Sequence, residues 1–311
     1  MIVCVGLNPA LDRRIVLGAL TLGGVNRAIS AEGSPGGKAA NVALAARALG
    51  STVRFVGFLG GPTGQAVAQG LFDQGIEVDA VTTAAATRIN LELIDGSGVT
   101  EVLEPGNAPT PQELAQLLAR CHRLFEACGS DTVLAFSGSL PTGTATYLYP
   151  RLIELGKAFG LRIILDTSGA WLERGLSAKP DFVKPNRQEA EALLKRSIDN
   201  ESDAKAAVHE LTARGAGSAI ISLGSAGLVG TADDRSFLVT PPTVTARSSV
   251  GCGDATVAGL AVALERNYAR PEQLAFAAAC GAANCLAKSP GCLDAATVES
   301  MRARMQTRWL D

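Results

Sequence analysis

The chain is poor in histidine, has no excess of basic residues and holds no long apolar run, and each shortage removes a class of function. Only two histidines, His122 and His209, occur in 311 residues, and neither lies near a cysteine in sequence. Zinc centres draw on closely spaced histidine and cysteine, and no Cys-x-x-Cys pair is present, so no zinc centre is expected. The seven cysteines, an odd number, read as free buried thiols in a reducing compartment. The formal net charge is −2, from 28 basic and 30 acidic side chains, so nothing draws the chain to nucleic acid. A membrane helix needs about 18 consecutive apolar residues. The longest candidates, Ala275 to Ala287 and Ala255 to Leu264, are rich in alanine or glycine and too short. The opening "MIVCVGLNPALDR" has no basic stretch ahead of its apolar run and reads as a strand, so a cytoplasmic location with no membrane partner is expected.

What the chain does hold is alternation. Short β-branched runs at 2–8, 52–60, 131–141, 161–169, 181–186 and 218–227 each end in a turn containing Gly, Pro, Ser or Asn. Helix-like stretches lie between and after them, at 38–50, 64–74, 111–127, 144–159, 187–195, 203–214, 254–267 and 271–288. Apolar strands alternating with helices signal a mainly parallel sheet covered on both faces. In such α/β sheets ligands gather at the carboxyl ends of the strands. Residues 12–32 and 87–104 break the rhythm by alternating polar and apolar side chains, with "DGSG" as a hairpin turn. Each is too short to be a domain. Together they are expected to form a small β-sheet standing off the main one as a lid, within a single domain over 1–311.

Four turns carry residues suited to chemistry. In "SSVGCGDATVAG" (248–259), Gly251, Cys252 and Gly253 precede Asp254 at the start of an apolar helix. Such a turn exposes backbone N–H groups at the positive end of the helix dipole and suits a phosphate; Asp254 is equally well explained as a helix cap. In "SPGGKAANVALAARALG" (34–50), Lys38 and Asn41 open a helix, and an asparagine can both donate to and accept from sugar hydroxyls. The same stretch also suits a tight turn before a core helix. In "KPNRQE" (184–189), Asn186 and Glu189 share one spot at a helix start. With Asp254 they would suit a hydrated magnesium ion, or they form only a capping box. "SLGSAG" (222–227) is a strand end with two glycines that either wraps a phosphate or makes a plain turn. The Walker A pattern is absent, because the Gly36-Gly37-Lys38 triplet is followed by Ala39. The dinucleotide fingerprint fails at Thr256. A P-loop hydrolase and an oxidoreductase both lose support.

The ordered set says more than any single turn. "GGKAAN", "SGSLP", "DTSG", "KPNRQE", "SLGSAG" and "VGCGDATVAG", in this order, resemble the ribokinase-like (PfkB-type) carbohydrate kinases. "LNPALDR" (7–13), "TRINLELI" (87–94) and "EPG" (104–106) narrow the resemblance to the branch of 1-phosphofructokinase, tagatose-6-phosphate kinase and the minor 6-phosphofructokinase. It runs from Ile2 to about Gly291. The resemblance implies a three-layer α/β/α fold and phosphorylation of a ketohexose monophosphate to a bisphosphate, with ATP and Mg2+. It makes Asp254 the general base and Gly251, Cys252 and Gly253 the anion hole, fitting a reaction that depends on positioning and electrostatics. It places Asn186 and Glu189 at magnesium through water, and Ser222, Gly224, Gly227 and Lys184 on the ATP side. It gives the sugar Asp12, Gly37, Asn41 and Ser139, and makes 271–288 a wall of the adenine pocket. Arg88, Arg27 and Lys38 are the cations that a substrate phosphate asks for, since an arginine fork matches phosphate oxygens. "GDATVAGLAVALE" and "GGK" lean towards the tagatose-6-phosphate type, while "LNPALDR" and "TRIN" fit 1-phosphofructokinase equally. A non-catalytic sugar-phosphate binder is the competing reading, but the trio Asp254, Asn186 and Glu189 is complete. A homodimer joined through the lid is implied too, and the lid's alternating pattern agrees, since a small sheet with one apolar face needs a cover. One departure stands out. Cys252 occupies a position usually taken by a small residue, and a thiol at a helix N-terminus is expected to have a lowered pKa and to be oxidisable.

Overall fold

The structure is a computed structural model that describes residues 1–232 and 235–310. The chain begins with β1 (Ile2–Gly6), β2 (Ala10–Leu17) and β3 (Ala28–Gly36), followed by α1 (Lys38–Ala48) and β4 (Val53–Gly60). Next come α2 (Gly61–Asp73), β5 (Glu77–Thr83), the hairpin β6 (Arg88–Asp95) and β7 (Gly98–Leu103), α3 (Pro111–Glu126) and β8 (Val133–Ser137). Then follow α4 (Leu148–Ala158), β9 (Arg162–Asp166), α5 (Gly169–Leu176), β10 (Phe182–Val183), α6 (Arg187–Leu194) and α7 (Glu201–Ala213). The rest is β11 (Ser218–Ser222), β12 (Leu228–Ala232), β13 (Arg235–Thr240), α8 (Cys252–Glu265), α9 (Arg270–Asn284), α10 (Ala295–Arg302) and β14 (Gln306–Leu310).

Among the described residues the strands form a ten-stranded sheet, ordered β14-β13-β12-β11-β10-β9-β8-β1-β4-β5, and a four-stranded sheet, ordered β3-β2-β6-β7. The large sheet is parallel from β11 to β5 and antiparallel from β11 to β14. Strand side chains alternate between faces, and here both faces are dry. Ile2 and Cys4 of β1 join the core of α1, α2, α8, α9 and α10, whereas Val3 and Val5 join the core of α3 to α7. The expected three layers are therefore present.

The sequence pattern under-reads the edges. Strands β5, β12, β13 and β14 and helices α5 and α10 were not anticipated. β14 is exposed over four of its five residues and β5 is only partly buried, so neither shows an apolar run. The run at 181–186 keeps only two strand residues before the chain turns into the Pro185 loop. The small sheet forms from the anticipated segments within wider bounds, Ala10–Leu17 and Ala28–Gly36, with β2 parallel to β6 and antiparallel to β3. The hairpin turn pairs Asp95 with Gly98.

Helix α8 is buried at every position from Asp254 to Leu264, because it lies between α1 and α9. Its approach to α9 depends on Gly259, where an added Cβ would lie 2.7 Å from Cys280 Sγ and 2.9 Å from Ala277 Cα. In an isolated helix Gly→Ala gains about 1 kcal/mol of helix propensity. Here overpacking at about 1–3 kcal/mol outweighs that gain. Gly259→Ala is therefore expected to lower the unfolding free energy, and a urea titration that found it stabilised would contradict this packing.

Candidate active site

The strand ends β1, β8 and β9, the start of α1, the start of α8 and the small sheet enclose a cleft of about 310 Å³. Larger surface grooves exist, of about 890 Å³ between α2 and β5, about 860 Å³ beside α1 and about 470 Å³ between α7 and β14. Volume does not locate the chemistry; convergent polar groups do.

Asp254 is the third residue of α8 and is only 6% exposed. Asn41 of α1 donates from Nδ2 to its Oδ2 at 2.8 Å, which leaves the other carboxylate oxygen free of that bond. Burial raises its pKa to about 6; the negative charge of Asp166 adds to the rise, while Lys38, Asn41 and Lys184 oppose it. The turn ahead of it has Gly251 in the left-handed region at φ 75°, where a side chain would also strike Pro290, with a Cβ only 2.6 Å from Pro290 Cβ. At Gly253 the first atom an added Cβ would meet is Lys184 Nζ, at 3.5 Å. The two cysteine-flanking glycines therefore leave the start of α8 open beside a lysine.

Beneath the cleft lies a charge cluster around Asp166, the last residue of β9. It is 1% exposed, with Oδ1 3.2 Å from Lys184 Nζ and Oδ2 3.5 Å from Lys38 Nζ. Burial alone would push this carboxyl up, but the two lysines outweigh it and hold it below its ordinary value. Asp166 in turn pushes Lys38 up, with Glu189 Oε1 at 3.6 Å adding to the effect. Asp166 was not singled out from the sequence, although an acid at the carboxyl end of a buried strand was the available signal. Neither of its oxygens, nor the buried Ser137 Oγ that lines the cleft, takes an aligned hydrogen bond from the protein.

The small sheet supplies the opposite wall. Asp12 of β2 accepts from Asn90 Nδ2 at 2.8 Å, and burial raises its pKa to about 6. Gly36 leaves room for it, since a Cβ there would lie 2.0 Å from Asp12 Cγ. Gly37, the N-cap of α1, is left-handed at φ 81° and lines the cleft with Lys38 and Asn41. Ser139 lines it too, its Oγ accepting from Asn8 Nδ2 at 3.3 Å. Arg88 reaches the cleft already engaged: Nε and Nη2 donate to Asn8 O at 3.2 and 3.0 Å, and Nη1 to Glu104 O at 2.6 Å and Asn90 Oδ1 at 3.2 Å. Burial lowers its pKa. Arg27 is exposed ahead of β3 and lies outside the lining of the cleft. Asn8 and Asn90, missed from the sequence, are the side chains that tie these groups together.

On the other side, Asn186 and Glu189 form the capping box of α6. Asn186 Oδ1 accepts from Glu189 N at 2.8 Å and Glu189 Oε2 from Asn186 N at 2.9 Å. Glu189 still presents Oε1 to Lys38, so capping does not consume it. Asn186 bridges to Ser222 at the end of β11, where the turn through Gly224 and Gly227 closes with Leu223 N donating to Gly227 O at 2.8 Å. Gly224 and Gly227 are left-handed, at φ 64° and 102°. These residues adjoin the cleft through Glu189 and do not line it. The 271–288 helix ends earlier, at Asn284, and packs on α8.

The expectation for Cys252 is corrected. Its thiol lies 2.9 Å from Cys285 Sγ; the hydrogen bond between them and burial push Cys252 up, and it is Cys285 that falls, to about 7.

The cluster's dependence on one carboxylate is directly measurable. Asp166→Asn leaves Lys184, 3% exposed, beside no full counter-charge. Breaking a buried pair from one side costs about 3–5 kcal/mol. A fall of that size in unfolding free energy is expected by urea denaturation, and a change under about 1 kcal/mol would refute the cluster's role.

Comparison with known proteins agrees with this site. The model of the pfkB family carbohydrate kinases matches residues 1–296. The chain is 38% identical over 281 residues to a 1-phosphofructokinase of Xanthomonas campestris, covering 88% of this chain and 87% of that protein. It is 35% identical over 285 residues to a 1-phosphofructokinase of Rhodobacter capsulatus, covering 90% of each. Phosphofructokinase-2 from Escherichia coli, solved in complex with fructose-6-phosphate, superposes with a TM-score of 0.89 at 29% identity, covering 97% of this chain and 98% of that one. With the fold, the ordered glycine turns and the buried acid at the start of α8 in agreement, the chain belongs to the pfkB family of carbohydrate kinases.

Proposed function

We propose that the chain transfers the γ-phosphoryl group of ATP to a free hydroxyl of a ketohexose monophosphate, forming a bisphosphate. Fructose 1-phosphate is the leading substrate, since both reported relatives are named 1-phosphofructokinase. Tagatose 6-phosphate and fructose 6-phosphate are the alternatives. The observation that carries this reading is Asp254, buried at the open N-terminus of α8 with one oxygen held by Asn41.

In this reading the free oxygen of Asp254 takes the proton from the attacking hydroxyl. The backbone N–H groups of Gly251 and Gly253, with that of Cys252 once it leaves Ser249 O and with Lys184 close by, stabilise charge on the phosphoryl group in transit. Asp12, Asn41, Gly37 and Ser139 hold the sugar. Lys38 offers the substrate phosphate a cation, and Arg88 joins it by exchanging one of its backbone partners. Arg27 meets that phosphate only if its exposed segment moves in. Ser222, Gly224 and Gly227 receive the ATP phosphates, with Lys184 and Asn186 beside them.

Magnesium suits this donor set. It keeps most of its waters and needs few protein oxygens. Among the described residues no group of three or more His, Cys, Asp and Glu side chains is placed to hold a metal ion directly. Glu189 Oε1 and Asn186 would therefore meet it through water, and bound there it would neutralise charge on the ATP phosphates. Closing the small sheet as a lid would exclude water as a competing acceptor.

A second copy of the chain is proposed to cover the lid. Leu22, Val25, Ile29, Val99, Val102 and Leu103 are exposed large apolar side chains on the small sheet and its connections. Exposed apolar side chains gathered on one element mark a candidate interface. Among the described residues no helix is long and apolar enough to cross a membrane, and a cytoplasmic setting is proposed.

Three measurements test this. ADP release is expected with fructose 1-phosphate above tagatose 6-phosphate and fructose 6-phosphate, and far above fructose; no turnover on any phosphorylated ketose would end the substrate proposal. The base must be ionised to work, so kcat is expected to fall as pH drops through about 6. Asp254→Asn should cost about 10²–10⁴-fold and abolish that acid limb; full activity in this variant would end the mechanism. In light scattering the chain is expected to be dimeric and the Val25→Glu, Ile29→Glu double variant monomeric, while a wild-type monomer would remove the assembly.

A further inference from the structure

The geometry points to Cys252 and Cys285 as a dithiol modification site, which a peroxide or a low-molecular-weight disulfide closes into an internal disulfide that disables the start of α8. The two sulfurs, 33 residues apart in sequence, lie 2.9 Å from each other. A disulfide needs about 2.05 Å, so closure asks for a shift of about 0.9 Å. Both residues are partly exposed, whereas Cys4, Cys121 and Cys280 are buried.

The surroundings divide the labour between the two thiols. Cys285 is the C-cap of α9, with its Sγ 3.5 Å from Gly281 O. The Cys252 thiol, by donating to it, lowers the pKa of Cys285 to about 7. Cys285 is thus the thiolate and Cys252 the resolving thiol. With hydrogen peroxide, Cys285 thiolate attacks one oxygen, the O–O bond breaks, and hydroxide leaves as a sulfenic acid forms. Cys252 then attacks that sulfur, its proton departs with the hydroxyl as water, and the S–S bond closes. Two thiols and one peroxide give one disulfide and two waters, with two electrons passing from sulfur to oxygen.

The pair sits where a small shift matters. Cys252 is the first residue of α8, and its N–H lies 3.3 Å from Ser249 O. Cys285 O accepts from Arg247 N at 2.8 Å and Ser248 N at 3.4 Å, so the segment before α8 hangs from the same residue that would bond to its end. Asn284 Nδ2 donates to Val250 O at 2.9 Å and lies 3.5 Å from Cys252 Sγ. A covalent tie between α8 and α9 would fix this turn away from the geometry that phosphoryl transfer needs. Displacements near 1 Å cost about 10²-fold in rate. The consequence for activity rests on the kinase reading above; the disulfide itself does not.

The test is hydrogen peroxide treatment of the whole chain, read by peptide mass spectrometry and by ADP release with fructose 1-phosphate. The expected result is a linked peptide pair containing Cys252 and Cys285, lighter by two hydrogens, with activity down by about 100-fold as the link accumulates. Dithiothreitol should reverse both. Cys285→Ala and Cys285→Ser should keep their starting activity through the same treatment. The proposal is overturned if no such linked pair forms, if it forms with activity unchanged, or if both Cys285 variants lose activity as the wild type does. A chain inactive on every phosphorylated ketose overturns the kinase reading instead, and the linked peptide still decides the dithiol.

Discussion

Asp166 stands at the floor of the cleft with a lysine on each oxygen, at 3.2 Å and 3.5 Å, and almost no contact with water. A lone carboxylate so placed would take up a proton. Two ammonium groups reverse that preference, and Asp166 in turn pushes Lys38 up. The arrangement fixes both cations at the level of α8's first turn. The potential that Asp254 feels follows from it: Lys38 and Lys184 pull its proton off, Asp166 pushes it back, and burial decides the sum at about 6. The cluster also sets the cleft's charge balance. Asp166, Asp254 and Glu189 meet Lys38 and Lys184, and the cleft's further lining adds Asp12, Glu92 and Glu101 against Arg88. An entering polyphosphate finds no surplus of positive charge there and has to bring its own counter-ion, which is the role magnesium fills in the proposed reaction.

Two backbone positions make that electrostatic arrangement possible. Gly251 takes a left-handed φ of 75° with Pro290 packed against it, so the chain enters α8 abruptly. Gly36 leaves the space that the Asp12 carboxylate occupies. In both cases the missing side chain lets a charged group or a helix end come closer than any other residue would permit.

How much of this was legible in sequence follows from how local each signal is. The alternation of apolar strands and helices reports the dry parallel part of the sheet, because those strands are buried on both faces. At the antiparallel edge β14 escaped because an exposed edge strand needs no apolar run, whereas β12 and β13 are buried along most of their length and their apolar residues were there to read. Asp254, Asn41 and Lys38 were marked by the glycine turns beside them and Asp12 by the family resemblance, and the four do converge on the cleft. For Asn186 and Glu189 the capping reading holds and leaves room for the functional one, because the cap uses one carboxylate oxygen of Glu189 and the other stays turned to Lys38. Asp166 lies in "DTSG", which drew notice as a strand end and as one of the ordered motifs without a role for the acid itself, and its partners come from distant segments. The Cys252–Cys285 contact and the engagement of Arg88 by Asn8 and Glu104 are likewise products of tertiary packing, with no local mark.

The small sheet joins these parts. Its inner positions give Asp12, Asn90 and Arg88 to the cleft, and its outer strands β3 and β7 are exposed along most or all of their length. A sheet with so little core of its own is held in place by its edges and contacts. One contact reaches across the molecule: Arg14 of β2, gripped by Glu92 of β6 at 2.9 and 3.0 Å, also donates to the carbonyl of Lys288. Lys288 lies two residues before Pro290, which packs on Gly251. The sheet proposed to meet the sugar is therefore tied to the segment that shapes the start of α8. In the proposed reaction the small sheet carries the substrate side, and its alignment with the start of α8 rests on polar links of this kind together with the packing of β2 and β3 on α2 and the main core.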